Sequence, residues 1–296
     1  MKILNFGSLN LDYTYGVNRF VKPGETMSAK THSVNTGGKG LNQSVALARA
    51  GGEVYHAGCY GKGGESLAAF LNDNGVHTQF LRRVDEYQGN AFIQVNEEGE
   101  NCIILYGGSN QCITKKQIGE TLSHFEEGDW LVLQNEINLN EEIVEAAYEK
   151  GLKIVLNPSP YDEKIAKIDF GKLHWLFVNE IEAEQIYGFT NITATWEKLH
   201  EEYPQLSLLV TLGEEGSIAF TKEETVTENA FCLTVEDTTG AGDTYSGYMI
   251  AALSEGRCLK ECMERASIAA GISVSRKGAA ASVPSAAEVT QYFLKK

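Results

Sequence analysis

The stretch VEDTTGAGDTYSGYMIAAL (residues 235–253) places two glycines and an acid between a β-like run and a long apolar helical pattern. Gly240, Ala241 and Gly242 keep side-chain bulk away from the main chain, where the free N–H groups of a helix start can bind an anion. Asp243 follows in the first helical turn. A tight strand-to-helix turn with an early-turn acid would explain the two glycines, but not why polar side chains such as Thr238, Thr239 and Thr244 surround exposed amides. The stretch therefore predicts an anion site beside a carboxylate, which suits phosphoryl transfer.

Length, charge and composition argue against several classes of protein. The chain has 296 residues, 43% hydrophobic and 22% charged, as is usual for a folded globular protein. A formal charge of −15 argues against binding to nucleic acid or to an anionic membrane. No apolar stretch reaches the length of a membrane span and no signal peptide is evident, so we expect a cytoplasmic protein. The six cysteines and six histidines show no zinc-site spacing, and free thiols are expected.

Short apolar runs alternate with helical patterns along the chain. Strand-like runs lie at 2–6, 130–134, 152–156, 174–178 and 207–211. Helical patterns lie at 39–50, 140–150, 241–254, 259–275 and 286–294. Strands interleaved with helices are typical of βαβ units, and runs that are apolar throughout indicate strands buried on both faces. The sequence therefore predicts an α/β protein with a mostly parallel sheet.

Two regions break this pattern. Residues 11–35 are polar and β-prone, and residues 89–107 have the pattern of a hairpin with a turn at 96–99. Both are predicted to be antiparallel additions that form a small flap. Because no linker or repeat appears, we expect one domain over 1–296, with a lid built from about 11–35 and 89–107.

A second glycine-rich segment, NTGGKGLNQSVALARAG (35–51), precedes a helical pattern. It is either a simple helix start or a backbone that approaches a small ligand, with Lys39 and Asn42 as donors from the first turn. The chain has no G-x-x-x-x-G-K-[ST] motif and no G-x-G-x-x-G after the first run. A P-loop enzyme and a nucleotide-binding oxidoreductase are therefore disfavoured.

Together the two glycine-rich segments resemble the two signatures of the ribokinase family of carbohydrate kinases, also called the phosphofructokinase-B family. Further segments resemble that family in sequence order: GSLNLD (7–12), PGET (23–26), NEEGEN (96–101), NPSP (157–160), VNEIEAE (178–184), TLGEEG (211–216) and RKGAAASVP (276–284). The resemblance implies a three-layer α/β/α fold with a β-sheet lid. It also implies ATP-dependent transfer of the γ-phosphoryl group to a primary hydroxyl of a neutral sugar, with ribose as the first choice.

The resemblance also assigns site residues. The sugar-binding group is Asn10, Asp12, Gly38, Lys39, Asn42, Glu136 and Asp243. The anion hole is Gly240, Ala241 and Gly242, with Asp243 as the catalytic base. The group for ATP and Mg²⁺ is Asn179, Glu182, Thr211, Gly213, Gly216, Gly242 and Ser267. The group for a K⁺ activator, largely made of main-chain carbonyls, is Asp237, Thr239, Ser273, Arg276, Gly278 and Ser282.

Several alternatives stay open at the level of sequence. Asn179 and Glu182 are also a plausible helix cap. The turn GKGGE (61–65) is shorter than the G-D-D-x-x-G turn usual in ribokinases and lacks its aspartates, a departure from the family pattern near the base of the predicted lid. A nucleoside kinase of the same family would use aromatic lid residues to stack a base: Tyr13, Tyr15, Phe92 and Tyr106. A sensor without catalysis is disfavoured by the intact Asp243.

Two further expectations concern partners. Two acids beside one lysine in the sugar pocket would repel a phosphorylated sugar, which favours a neutral one. Ribokinase-like proteins often pair through their lids, and the apolar run CIIL (102–105) suits a homodimer of that kind.

Overall fold

The computed structural model describes residues 1–295, which contain thirteen strands. These are β1 (Lys2–Phe6), β2 (Asn10–Gly16), β3 (Thr31–Gly37), β4 (Glu53–Lys62), β5 (His77–Tyr87), β6 (Asn90–Val95), β7 (Asn101–Tyr106), β8 (Trp130–Gln134), β9 (Lys153–Asn157), β10 (Trp175–Asn179), β11 (Ser207–Thr211), β12 (Ser217–Phe220) and β13 (Thr225–Glu228).

The main sheet has the order β13-β12-β11-β10-β9-β8-β1-β4-β5. Its strands pair in parallel except at one edge, where β12 is antiparallel to both β11 and β13. All five residues of β8 are buried, as expected for a strand that is covered on both faces. The predicted mostly parallel sheet is confirmed, and each of the five predicted strands lies within one residue of its predicted bounds.

Nine α-helices lie within the described residues. They are α1 (Lys39–Arg49), α2 (Glu65–Asp73), α3 (Lys115–Leu122), α4 (Asn140–Glu149), α5 (Glu180–Tyr187), α6 (Ile192–Glu202), α7 (Ala241–Ser254), α8 (Leu259–Ser273) and α9 (Ala286–Phe293). Two separate hydrophobic clusters cover the sheet, one containing residues of α1, α7 and α8 and the other residues of α3, α4 and α6. The fold therefore has the three layers that the sequence predicted.

The lid is a second sheet with the order β3-β2-β6-β7. The hairpin β6–β7 and the pair β2–β3 are antiparallel, as predicted. The two regions join through β2 and β6, which pair in parallel, so the expectation of a wholly antiparallel flap was wrong in this respect. Local hairpin signals are readable from sequence, whereas a pairing between segments separated by more than seventy residues is set by tertiary packing.

The site lies where the carboxyl ends of the central parallel strands meet, at the usual ligand-binding edge of an open α/β sheet. Helices α1 and α7 both begin at this edge and pack closely on each other. A Cβ on Gly247 would lie only 2.9 Å from the main-chain nitrogen of Leu47, so the glycine permits this close approach. No helix within residues 1–295 is long and apolar enough to cross a membrane.

Candidate active site

The N-terminus of α7 forms an anion site. Gly240 caps the helix with φ of 74°, a left-handed conformation that favours glycine. Gly242 has open space where a Cβ would stand. The first-turn N–H groups at residues 242 and 243 have no acceptor within an α-helix and carry the positive end of its dipole. The three residues of the predicted anion hole line one cavity together with Asp243.

Asp243 is buried and held by two amides. Asn42 Nδ2 donates to Asp243 Oδ2 over 2.9 Å, and Gln43 Nε2 donates to Asp243 Oδ1 over 3.0 Å. The carboxylate is only 7% exposed and lines the same cavity as Lys39 and Glu182. The predicted sugar ligand Asn42 is thus in contact with Asp243, and its Nδ2 group is already used there.

Lys39 lies among acids. Burial disfavours its charge, but the carboxylates of Asp243, Glu136 and Glu182 outweigh that effect and raise the pKa of Lys39. Its main-chain N–H donates to Glu136 Oε2 over 2.9 Å, and Ser8 Oγ donates to the same oxygen. Burial raises the pKa of Glu136, although Lys39 opposes the shift. One cation is therefore held among three acids at the junction of the two helix starts.

Asp12 lies at the base of the lid, and two effects disfavour its charge. Burial, followed by repulsion from Glu136, raises the pKa of Asp12 to about 6. Gly37, its neighbour on β3, has no room for a Cβ beside this carboxylate. The structure thus brings Asp12 and Glu136 together, as the sequence predicted, and makes Asp12 sensitive to pH just below neutrality.

Asn10 is oriented by a residue that sequence reasoning missed. Leu9 N donates to Asn110 Oδ1 over 3.0 Å, which fixes the direction of that amide. Asn110 Nδ2 then donates to Asn10 Oδ1 over 2.7 Å. The Nδ2 group of Asn10 is therefore directed away from Asn110. Ser8, Gln43 and Asn110 were all missed, and of these only Ser8 and Gln43 stand inside quoted motifs.

Asn179 and Glu182 form the helix cap that their spacing allowed, and their metal-positioning role stays a prediction. They form a capping box at the start of α5, with Glu182 N donating to Asn179 Oδ1 and Asn179 N donating to Glu182 Oε2. Glu182 is also only 6% exposed and lines the cavity that contains Asp243. Mg²⁺ in phosphate-binding sites is usually held by one or two carboxylates together with substrate phosphates and water. Glu182 therefore fits a metal-positioning role.

A larger cavity of about 440 Å³ adjoins the anion site. Its walls are mostly apolar and include the predicted nucleotide residues: Thr211, Gly213, Gly216, Gly242 and Ser267. It shares Thr211, Thr238, Ala241 and Gly242 with the smaller cavity, so the two are continuous at the anion hole. The hydroxyl of Ser267 donates to Asn229 O and accepts from Phe231 N, so it stabilises the cavity wall.

The predicted K⁺ group lies beside the anion hole, and some of its side chains have other partners. Asp237 accepts from Thr239 N and Gly278 N, each over 2.9 Å, which ties the two loops together. Arg276 is paired with Glu288. Ser273 and Ser282 donate to carbonyls three residues earlier. The K⁺ role of this group therefore stays a prediction.

The short turn at 61–65 is attached to the lid base. Gly61 N donates to Gln88 Oε1 over 2.9 Å, and Gln88 Nε2 donates to Leu9 O. Lys62 forms an exposed ion pair with Asp85. The lid is thus anchored here by a buried glutamine.

Comparison with known protein families shows to which class of protein this candidate active site belongs. The model of the pfkB family of carbohydrate kinases matches residues 1–286. The chain belongs to this family. It is 32% identical to a ribokinase from Haemophilus influenzae, with 97% of this chain and 96% of that protein covered.

Solved structures of family members agree. A ribokinase from Cryptococcus neoformans in complex with ADP is 32% identical and superposes with a TM-score of 0.88, covering 98% of this chain and 99% of that one. A ribokinase from Arabidopsis thaliana complexed with ribose and ATP is 30% identical, also with a TM-score of 0.88, covering 98% and 97%. A pfkB family member with the anion hole and carboxylate intact is a phosphotransferase that acts on an alcohol group.

Proposed function

We propose that the protein is an ATP-dependent sugar kinase that transfers the γ-phosphoryl group to the primary hydroxyl of ribose, giving ribose 5-phosphate. The observation that carries the proposal is the position of Asp243. Its carboxylate lines the polar cavity, next to the anion hole at which that cavity meets the apolar one, and beside the free amides of a helix start. The family relatives named ribokinase support the same substrate.

The protein's own side chains and main-chain amides account for the steps of phosphoryl transfer. Asp243 accepts a hydrogen bond from the attacking hydroxyl, orients it for in-line attack and takes its proton. The amides at the start of α7 stabilise negative charge on the moving phosphoryl group. Glu182 would hold Mg²⁺, which when bound would neutralise charge on the ATP phosphates. The lid covers the sugar and excludes water, which limits ATP hydrolysis.

Charge in the pocket favours a neutral acceptor. Asp12 and Glu136 are both partly or fully buried, and Asp243 lies close by, while Lys39 supplies the balancing cation. A phosphate already present on the sugar would add about two negative charges to this cluster, at a cost of several kcal/mol in a partly desolvated site. Phosphorylated hexoses are therefore poor acceptors in this proposal.

The lid geometry disfavours the nucleoside alternative. Phe92 lies opposite Tyr13 in the sheet and stacks on it with ring centroids 5.3 Å apart. Side chains alternate between the two faces of a strand, so Tyr13 and Tyr15 point away from the face that carries Asn10 and Asp12. Tyr106 lies opposite Asn90, and Asn90 is on the same face of β6 as Phe92. Tyr106 therefore lies on the face of Phe92 as well. The aromatic groups that a nucleoside base would need are thus on the opposite face from the sugar residues.

The deciding experiment is a coupled assay with ATP–Mg²⁺ against a panel of acceptors: ribose, 2-deoxyribose, fructose, fructose 6-phosphate, adenosine and inosine. The highest kcat/KM is expected for ribose. Strong turnover of a nucleoside or of fructose 6-phosphate, with none on free pentoses, would overturn the proposal. The same assay with and without KCl tests the proposed K⁺ activation, and chelation of Mg²⁺ should abolish turnover.

Sugar binding should depend on pH through Asp12. The pKa of this carboxyl is raised to about 6, and a sugar hydroxyl donates to the ionised form. Ionisation is lost as the pH falls through 6, so the KM for ribose should be roughly tenfold higher at pH 5 than at pH 7. Asp12→Asn should raise the KM at neutral pH and make it independent of pH over this range. A wild-type KM that is flat between pH 5 and 7 would contradict the assignment.

We also propose that the protein is a cytoplasmic homodimer joined through its lids. The outer lid face carries exposed apolar groups, among them Ile104 at 66% and Phe92 at 45%, and β7 is an edge strand. Ile104→Asp should convert the dimer to a folded monomer in light scattering. Tyr148→Asp, on α4 and 49% exposed, is the matched control and should leave the mass unchanged. A wild-type protein that is monomeric at micromolar concentration would refute the dimer.

A further inference from the structure

A chain of buried amides extends from the carboxylate of Asp243 into the core between α1 and the main sheet. Gln43, which donates to Asp243, accepts on Oε1 from Gln134 Nε2 over 2.7 Å. Gln134 Nε2 also donates to Asn5 Oδ1 over 3.1 Å. Asn5, Gln43 and Gln134 have no exposed surface, so water does not compete for these bonds.

The far end of the chain fixes the direction of every bond. Asn5 Nδ2 donates to the main-chain carbonyl of Gly40 over 2.8 Å, and a carbonyl can only accept. The Oδ1 atom of Asn5 must therefore face Gln134, and Gln134 must donate to it from its Nε2 group. Gln43 in turn must present Oε1 to Gln134 and Nε2 to Asp243.

A second anchor gives the same direction. His56 is fully buried, and burial lowers its pKa to about 4, so the ring is neutral. Its Nε2 faces Gly7 O over 3.2 Å and must donate there. Nδ1 then accepts from Ser44 Oγ over 2.8 Å, and Ser44 Oγ accepts from Asn5 Nδ2 over 2.8 Å. Both anchors leave Asn5 with its amide nitrogen turned away from Gln134.

From this geometry we infer that Gln43 is a positioning residue for the base Asp243, and that Gln134 and Asn5 set the orientation of its amide. The inference rests on the proposed function of Asp243. A reversed Gln43 amide would set a carbonyl oxygen about 3.0 Å from Asp243 Oδ1. That contact is repulsive and would turn the carboxylate away from the acceptor hydroxyl. The buried network makes the reversed state unfavourable, because it would set the NH₂ groups of Gln43 and Gln134 against each other and leave one N–H of Gln134 without an acceptor.

The test uses methionine, which is close to glutamine in shape and has no amide. Gln43→Met should lower kcat for ribose at least tenfold while the KM values for ribose and ATP stay within about twofold, since Gln43 is assigned no contact with either. Gln134→Met should lower kcat by a smaller factor, through loss of the fixed amide orientation. In the double variant the Gln134 change should cause no further loss, because its effect acts through Gln43.

Gln117→Met is the matched control. Gln117 is 4% exposed and donates to Gly58 O and Phe80 O, on the far side of the sheet. Gln117→Met should lower the melting temperature by about the same amount as Gln43→Met, without changing kcat per folded molecule. Equal kcat in the Gln43 and Gln117 variants, or independent losses in the double variant, would overturn the inference. If Gln43→Met fails to fold, Gln134→Met against Gln117→Met makes the same comparison.

The failure of this inference is distinguishable from failure of the proposed function. An Asp243→Asn variant without turnover, together with a fully active Gln43→Met, would refute only the positioning role. An active Asp243→Asn would remove the base itself.

Discussion

Asp243→Asn should fold, bind ribose and lose about 10²–10⁴ in kcat, the range typical of a removed general base. The substituted amide keeps the shape of the side chain but does not take the proton of the attacking hydroxyl. Because Asn42 and Gln43 both donate to the present carboxylate, the new NH₂ group also meets one donor directly. The melting temperature is expected to fall for that second reason. Steady-state kinetics with calorimetry of ribose binding would measure both effects.

The control for this substitution is Asp237→Asn, at another acid of the same loop. Asp237 accepts from the main-chain N–H groups of Thr239 and Gly278 and is not assigned to proton transfer. It should change the response to K⁺ more than it changes kcat at saturating K⁺. Near wild-type turnover by Asp243→Asn would remove Asp243 from the catalytic role.

Gly40→Ala should be the second most damaging single change, although it adds one methyl group. The new Cβ would lie 2.6 Å from the Cα of Gly7 and would also contact Ser8 N, and these are main-chain atoms that have no rotamer to adopt. Helix α1 must therefore shift away from β1, moving Lys39 and Asn42 with it. Overpacking of this kind costs about 1–3 kcal/mol of stability. A displacement of about 1 Å at a catalytic group costs about 10²-fold in rate.

Gly119→Ala is the control for the effect of replacing a glycine by alanine within a helix. Gly119 lies in α3 with no atom within 4 Å of its Cβ position, so this change should raise the melting temperature slightly. Thermal unfolding and kcat/KM for ribose would be measured for both variants. A Gly40→Ala protein with wild-type kcat/KM would show that the start of α1 does not need its close contact with β1.

The sequence predicted the central strands and helices because their patterns are local. The runs at 2–6, 130–134 and 207–211 are mostly apolar, and the observed strands have the same bounds. The helix at 241–254 also matches its observed bounds. The edge strand β5 was not predicted, because its sequence HTQFLRRVDEY carries charges on a solvent-facing side and lacks an apolar run.

The site was predictable to the extent that its residues stand in the glycine-rich segments. Asp243 and Lys39 stand in these segments, whereas Glu136 was assigned through the family resemblance. The three lie far apart in sequence, and the fold brings them into one electrostatic cluster. The buried amides behind them gave no signal, since Asn5 and Gln134 look like ordinary members of strands β1 and β8. Their role depends on which atoms face one another across the sheet, and that is set only by the packed fold.

The two cavities are lined by different parts of the chain, and this has a consequence for the order of substrate and product exchange during turnover. The apolar cavity is lined by residues between 211 and 274 and includes no strand of the lid, whereas Asn10 and Asp12 belong to the lid strand β2. On the proposed assignment of the two cavities, we expect nucleotide exchange to be independent of lid opening and sugar exchange to require it. A cross-link that immobilises the lid should trap the pentose while ADP continues to dissociate.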